Sequence, residues 1–257
     1  MLLLVSGFTE ASSYINISSK EALQIGVKIW YNESGGTVNG LTAWNEGEDF
    51  ASMGIGHFIW YPRNHAQTFS ESFPALIKYM EARGVVVPYW LQGDQVPDCP
   101  WRNRAEFMRA FHTQRMTELR QFLLDTIPWQ AEFMVYRMEN ALPRMLASVP
   151  PEERSYIRQQ FYRIATHPQG IYALVDYVNF KGIGASPYHD YQTQSQGWGL
   201  LQVLEQMQYA PEYFTTLQAF AWAADQVLTQ RVVNNTTERD ESQWLAGWRN
   251  RLRTYLD

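Results

Sequence analysis

A chain of 257 residues, 46% hydrophobic and 15% aromatic, is long enough to bury a sizeable core and has the composition of a globular protein. Its 21 basic and 26 acidic residues leave a formal charge of −5, and no dense Lys/Arg block exists to follow a phosphate backbone, which argues against nucleic acid as a partner. No segment approaches the ~20 apolar residues needed to span a bilayer.

The first residues, Met1 to Gly7, form an apolar run too short for a signal-peptide core and without a basic flank; a periplasmic or secreted location is the expectation. Ser18-Ser19-Lys20-Glu21 fits a capping box and predicts a helix start, the hydroxyl and carboxylate each taking a free backbone amide. Leu23, Val27, Trp30 and Tyr31 follow at helical spacing and predict the buried face of a helix running to about Asn32, which Gly35 and Gly36 stop. Glu33 thus falls at the C-terminal end, where the helix dipole disfavours a negative charge and favours a carboxyl that keeps its proton.

Residues 41–44 and 50–61 are rich in aromatic and β-branched side chains around the polar turn 45–49, which predicts a hairpin. If that turn is extended, Glu46, Glu48, Phe50 and Ser52 share one face. Pro62 ends the unit. Helices are then predicted at about 70–83, 103–125, 127–148, 152–166, 169–180, 197–208, 211–231 and 240–255, with Pro128 and Pro151 in first turns and Pro143 expected to kink its helix. The lone Cys99 cannot form an internal disulfide and reads as a buried structural thiol. The polar connection 181–196 is too long for a simple link and is a candidate cleft loop. With no internal repeat and no linker, the expectation is a single α+β domain over 1–257, predominantly helical, with residues 18–62 as helix and hairpin and 63–257 as a helical lobe.

The hairpin motif resembles that of phage-type lysozymes. Ser52-Met53-Gly54-Ile55-Gly56-His57 is similar to their Thr-Ile-Gly-Ile-Gly-His segment, with one hydroxyl residue in place of another. In that family a Glu ends the first long helix and the spacing is Glu-x8-Asp-x5-Thr. Counting back from Ser52 puts Glu46 in the Asp place, with a longer gap to Glu33. A second resemblance covers more of the chain: Asn32 to Thr37, Trp44 to Pro62, Asn179 to Gly182 and Gly197 to Leu204 match the pattern of a group of bacterial proteins with no assigned activity. The second pattern contains Glu48 and leaves position 46 variable. Together they imply a lysozyme-like fold with a small β-hairpin lobe.

The resemblance implies cleavage of β-1,4 bonds in peptidoglycan or a related amino-sugar polymer, with no cofactor. Glu33 is the candidate general acid. Glu48, and after it Glu46, is the candidate second carboxylate, which stabilises the oxocarbenium-like transition state or orients a water held by Ser52. His57 is expected to order the hairpin and touch substrate; a zinc role is not the expectation, since no second His or carboxylate lies at ligand spacing on the same element, and a metal enzyme is the weaker alternative. Tyr177, Asn179, Lys181 and Trp198, with Gln192, Gln194 and Gln196, supply the amides and rings that recognise acetamido sugars. Gly197-Trp198-Gly199-Leu200-Leu201-Gln202 is also similar to the Gly-Leu-Met-Gln stretch of lytic transglycosylases. The alternatives are such a transglycosylase, which needs only one acid, and a non-catalytic glycan-binding or scaffold protein of the same shape.

Overall fold

The computed structural model describes residues 15–65, 69–185, 197–234 and 240–257. It is mostly helical with one small antiparallel sheet. The first helix, α1 (Ser19–Ser34), begins at the expected capping box: the Ser18 hydroxyl accepts from Glu21 N, and the Glu21 carboxylate accepts from Ser18 N at 2.7 Å. It ends where Gly35 turns left-handed and donates to the Trp30 and Tyr31 carbonyls.

The buried face of α1 differs from the one the periodicity predicts. Ala22, Ile25, Gly26 and Ile29 are buried, whereas Leu23, Val27 and Tyr31 are exposed. The cause is the close crossing with α5 (Ile127–Ala147): a Cβ on Gly26 would stand 2.7 Å from Ile127 Cγ2, so the small-residue stripe faces the partner.

The residues read as one hairpin form three strands, β1 (Thr42–Ala43), β2 (Ala51–Met53) and β3 (Phe58–Trp60), in sequence order. Thr42 pairs with Met53, and Ser52 pairs with both Ala43 and Ile59. The long second strand is therefore broken by the turn Gly54-Ile55-Gly56-His57, where Gly54 lies at φ 70° and His57 at φ 47°. The turn is fastened to the helical lobe by Gln130 of α5, fully buried, whose Oε1 accepts from Ile55 N at 2.9 Å while its amide nitrogen donates to Leu123 O and Thr126 Oγ1.

Gly54 has no room for a side chain, since an added Cβ would stand 2.1 Å from Gln130 Oε1. Gly54→Ala is expected to cost about 1–3 kcal/mol, from the positive φ and the lost amide contact together. A urea melt reads this directly, and an unchanged midpoint would mean that the turn is not held as described.

The remaining helices are α2 (Phe73–Glu81), α3 (Arg104–Ala110), α4 (Gln114–Asp125), α6 (Pro151–Ile164), α7 (Pro168–Lys181), α8 (Leu200–Gln206), α9 (Thr216–Asn234) and α10 (Ser242–Arg253). The helix expected over 103–125 is thus two, broken at 111–113. There the Phe111 carbonyl is taken by Arg120 Nη1 at 2.8 Å instead of by the next helical turn. The α5 helix runs on through Pro143.

Behind the sheet, Trp60 packs against Phe73, Trp90 and Trp101, and Cys99 is buried beside them with its thiol pushed up to about 12 by burial. No helix among the described residues is long and apolar enough to cross a membrane.

Candidate functional site

The last turn of α1, the Gly54–His57 turn, α7 and α10 meet at one carboxylate. Glu33 keeps 15% of its side chain exposed. Its Oε1 accepts from Arg251 Nη2 at 2.5 Å and from Asn179 Nδ2 at 3.0 Å. Its Oε2 faces His57 Nδ1 at 3.6 Å, an ion pair when the ring is protonated. Arg251 belongs to α10 and Asn179 to α7, so the carboxylate is oriented by elements from the far end of the chain.

Arg251 is shared. Its Nε donates to Asp176 Oδ2 at 2.7 Å and its Nη2 to Asp176 Oδ1 at 2.9 Å, the bidentate fork that a guanidinium makes with a carboxylate. Asp176 is fully buried and also accepts from the Tyr255 hydroxyl at 2.7 Å and from Asn32 Nδ2 at 3.2 Å. Asn32 donates as well to the Tyr172 hydroxyl, which is bonded to Thr254. A buried anion without partners is costly, and here every one is supplied.

Burial works against the charge on Arg251, but Asp176 and Glu33 outweigh it and raise the guanidinium above its ordinary value. Burial first, and then the Asp176 charge, raise the Tyr255 and Tyr172 phenols, the latter to about 12, so both remain neutral hydrogen-bonding groups.

His57 and Asn179, two neighbours of Glu33, line a cleft of about 570 Å³ between the sheet and helices α5 and α7. That volume suits a small-molecule or oligomer subsite. Its opposite wall carries Tyr136, Arg137, Asn140 and Arg144 of α5.

The other residues singled out in the sequence fall as follows. Glu48 is half-buried on the turn between β1 and β2, where its carboxylate accepts from Asn45 Nδ2 at 3.1 Å; Glu46 is exposed on the same turn. The turn is closed by a Glu48 N to Asn45 O bond with Gly47 at φ 81°, so residues 46–52 are not one extended face. It caps the end of β2 opposite the Gly54–His57 turn, and among the described residues no hydrogen bond or ion pair joins either acid to Glu33. Ser52 is buried in the middle of β2, on the same face as its partner Ile59, which lines the cleft.

Tyr177 is fully buried and packs against Phe180 and Phe220. Its hydroxyl donates to Trp198 O at 2.9 Å, which makes it a core residue tying α7 to the segment before α8 and corrects its expected place on the substrate. Lys181 is half-buried against aromatic rings: its Nζ lies 3.8 Å from the Trp248 ring centre and 4.1 Å from that of Phe180. Burial first, then the nearby Arg231, lowers its pKa to about 7. Lys181 lines neither this cleft nor the second one.

That second cleft, about 690 Å³, is lined by Trp198, Tyr209, Gln202 and other amides, with the Arg231 guanidinium 3.9 Å above the Trp198 ring. Trp198 therefore stands apart from Asn179. The two ends of the expected cleft loop are tied together by Leu200 N to Gly182 O and Leu201 N to Ile183 O, both at 3.0 Å. Residues 186–196, with Gln192, Gln194 and Gln196, lie outside the described residues. Among the described residues no three His, Cys, Asp or Glu side chains are placed to hold a metal.

Fold and site together define a mainly helical α+β protein with an acid–arginine–acid centre beside a cleft. Comparison with protein-family models, curated protein sequences and solved structures finds no match.

Proposed function

We propose that the chain is a glycoside hydrolase of lysozyme-like fold that cleaves β-1,4 bonds of peptidoglycan or a related amino-sugar polymer, without a cofactor, in the periplasm or outside the cell. The observation that carries this reading is the partly exposed Glu33 carboxylate, held through Oε1 by Arg251 and Asn179 while Oε2 is turned to His57, which with Asn179 lines the cleft. A fixed carboxyl group beside a cleft is what protonation of a glycosidic oxygen requires. In this scheme Glu33 gives its proton to the leaving oxygen, and a carboxylate from the β1–β2 turn faces the developing oxocarbenium ion.

Glu48 is the first choice for that carboxylate and Glu46 the second. Replacing each separately by Gln is expected to give one large and one small loss of activity, with Glu48 the larger, because only one side chain can face the scissile bond at working distance. Release of reducing ends from purified peptidoglycan measures it. Equal minor losses would remove the second carboxylate from the mechanism and favour a one-acid enzyme, which the appearance of 1,6-anhydro products would mark as a lytic transglycosylase.

A non-catalytic glycan-binding protein is the second reading, and a specific observation favours it: Glu33 Oε1 already has two donors, one of them a guanidinium locked to a buried Asp176. Such an arrangement also suits a carboxylate whose work is structural. Binding of chito-oligosaccharides with no bond cleavage on prolonged incubation would decide for it.

A further inference from the structure

The centre around Glu33 holds two carboxylates and one guanidinium, so one negative charge is in surplus when both acids are ionised. Little solvent reaches any of them: the side chains of Asp176, Arg251 and Glu33 are 0%, 12% and 15% exposed. A surplus charge so enclosed is unfavourable, and a proton on one carboxylate removes it. Which carboxylate takes that proton is decided by free lone pairs.

Asp176 has none to spare. An ionised carboxylate offers about four acceptor sites, and here four donors fill them. Oδ1 accepts from Arg251 Nη2 at 2.9 Å and from Asn32 Nδ2 at 3.2 Å; Oδ2 accepts from Arg251 Nε and from the Tyr255 hydroxyl, both at 2.7 Å. A proton on Asp176 has to displace one of these donors inside the core. Glu33 is filled on one side alone. Its Oε1 has Arg251 and Asn179, whereas Oε2 takes no hydrogen bond from any described residue and faces His57 Nδ1 at 3.6 Å.

We propose that Asp176 is a positioning residue for the catalytic proton: by occupying and neutralising Arg251 it leaves Glu33 Oε2 as the atom that carries the proton in the resting enzyme. The inference rests on the glycosidase reading and adds to it the residue that keeps an acid protonated beside an arginine. An unpaired arginine so close holds a carboxylate ionised, which disables a general acid. With Asp176 in its fork, the guanidinium offers Glu33 a hydrogen bond but little net charge. Once the proton has passed to the leaving oxygen, the Glu33 carboxylate still has Arg251 and Asn179 to hold it. Among the described residues, the charged or titratable groups gathered here are His57 from the turn, Asp176 and Tyr172 from α7, Arg251 from α10 and Tyr255 just after it. Lys181 of α7 also feels the Arg251 charge.

The test follows the carboxyl carbons of isotope-labelled Glu and Asp by nuclear magnetic resonance in the full chain, with Glu33→Gln and Asp176→Asn assigning the two signals by their loss. In the parent protein the Glu33 carboxyl is expected to titrate while that of Asp176 stays ionised throughout. In Asp176→Asn the Glu33 midpoint should fall by about 1–2 pH units, since the bare guanidinium now favours the carboxylate, and adding Arg251→Met should bring it back up. Activity that needs a protonated Glu33 is lost as pH rises through that midpoint, so the alkaline limb of reducing-end release from peptidoglycan should move down with it. An Asp176 signal that titrates together with Glu33 in the parent overturns the proposal without any variant having to fold. Asp176→Asn protein that loses activity with its alkaline limb and Glu33 midpoint unmoved overturns it as well, since that loss is structural, and leaves Glu33 standing as the acid. A parent protein that titrates as described but is inactive on peptidoglycan overturns the glycosidase reading instead, and with it the catalytic use of the proton.

Discussion

Glu33→Gln is expected to lower wall-lytic activity by about 10² to 10⁴ while leaving the fold intact. The amide keeps the length and shape of the side chain and its carbonyl oxygen still accepts from Arg251 and Asn179, so the local hydrogen bonds have somewhere to go. Only the proton that the glycosidic oxygen needs is gone. Partial exposure of Glu33 makes the exchange tolerable for stability, in contrast to the fully buried Asp176. Turbidity clearance of purified peptidoglycan is the direct measurement, with a thermal melt as control. Undiminished clearance by the variant would sink the assignment of Glu33 as the acid. An inactive parent protein that still binds chito-oligosaccharides would move the molecule to the non-catalytic reading.

The largest effect on stability is expected from Arg251→Met. The substitution keeps most of the volume but leaves Asp176, with no solvent exposure, facing Tyr255 and Asn32 alone. Removing one partner of a buried ion pair typically costs about 3–5 kcal/mol, because the remaining charge is desolvated and uncompensated. At about 2–4 °C per kcal/mol for a chain near this size, the melting midpoint should fall by on the order of 10 °C.

A second substitution separates charge from shape. Asp176→Asn in the Arg251→Met background removes the orphaned anion while preserving an acceptor for Tyr255, so the double variant should recover part of the loss and the two changes should be strongly non-additive. If the double variant is no more stable than the single one, the buried charge is not what Arg251 is there to balance. Glu33 is the weaker part of this arrangement, since it retains Asn179 and a route to solvent when Arg251 is lost.

Local chemistry made several elements legible. Glu21 and Ser18 satisfy each other three residues apart, Gly35 needs only its own positive φ to stop α1, and first-turn prolines begin α5, α6 and α7 much where periodicity placed them. The Gly-Ile-Gly-His segment marks the neighbourhood of Glu33, whereas the bond that Asn179 donates to that carboxylate has no local signal in the sequence. One further signal stood in the chain unread: Asp176 interrupts the apolar run 171–178, and a charge there needs a partner from elsewhere. Nothing local named Arg251, which lies 218 residues from Glu33.

The sequence by itself determined where α1 starts and stops, where α5 and α6 begin, and that a Gly-rich turn follows Glu33, because caps, glycines and prolines act within three or four residues. Only the tertiary structure decided which face of α1 is buried, since Leu23 and Val27 carry the hydrophobic signal but the approach of Ile127 admits nothing larger than Gly26. It also decided that Tyr177 is buried, that Lys181 lies against the Trp248 and Phe180 rings, and that Glu33, Asp176 and Arg251 share one centre. Burial and ion pairing depend on which helices cross and how closely, and that is settled by packing between segments whose separation in sequence carries no information about their distance in space.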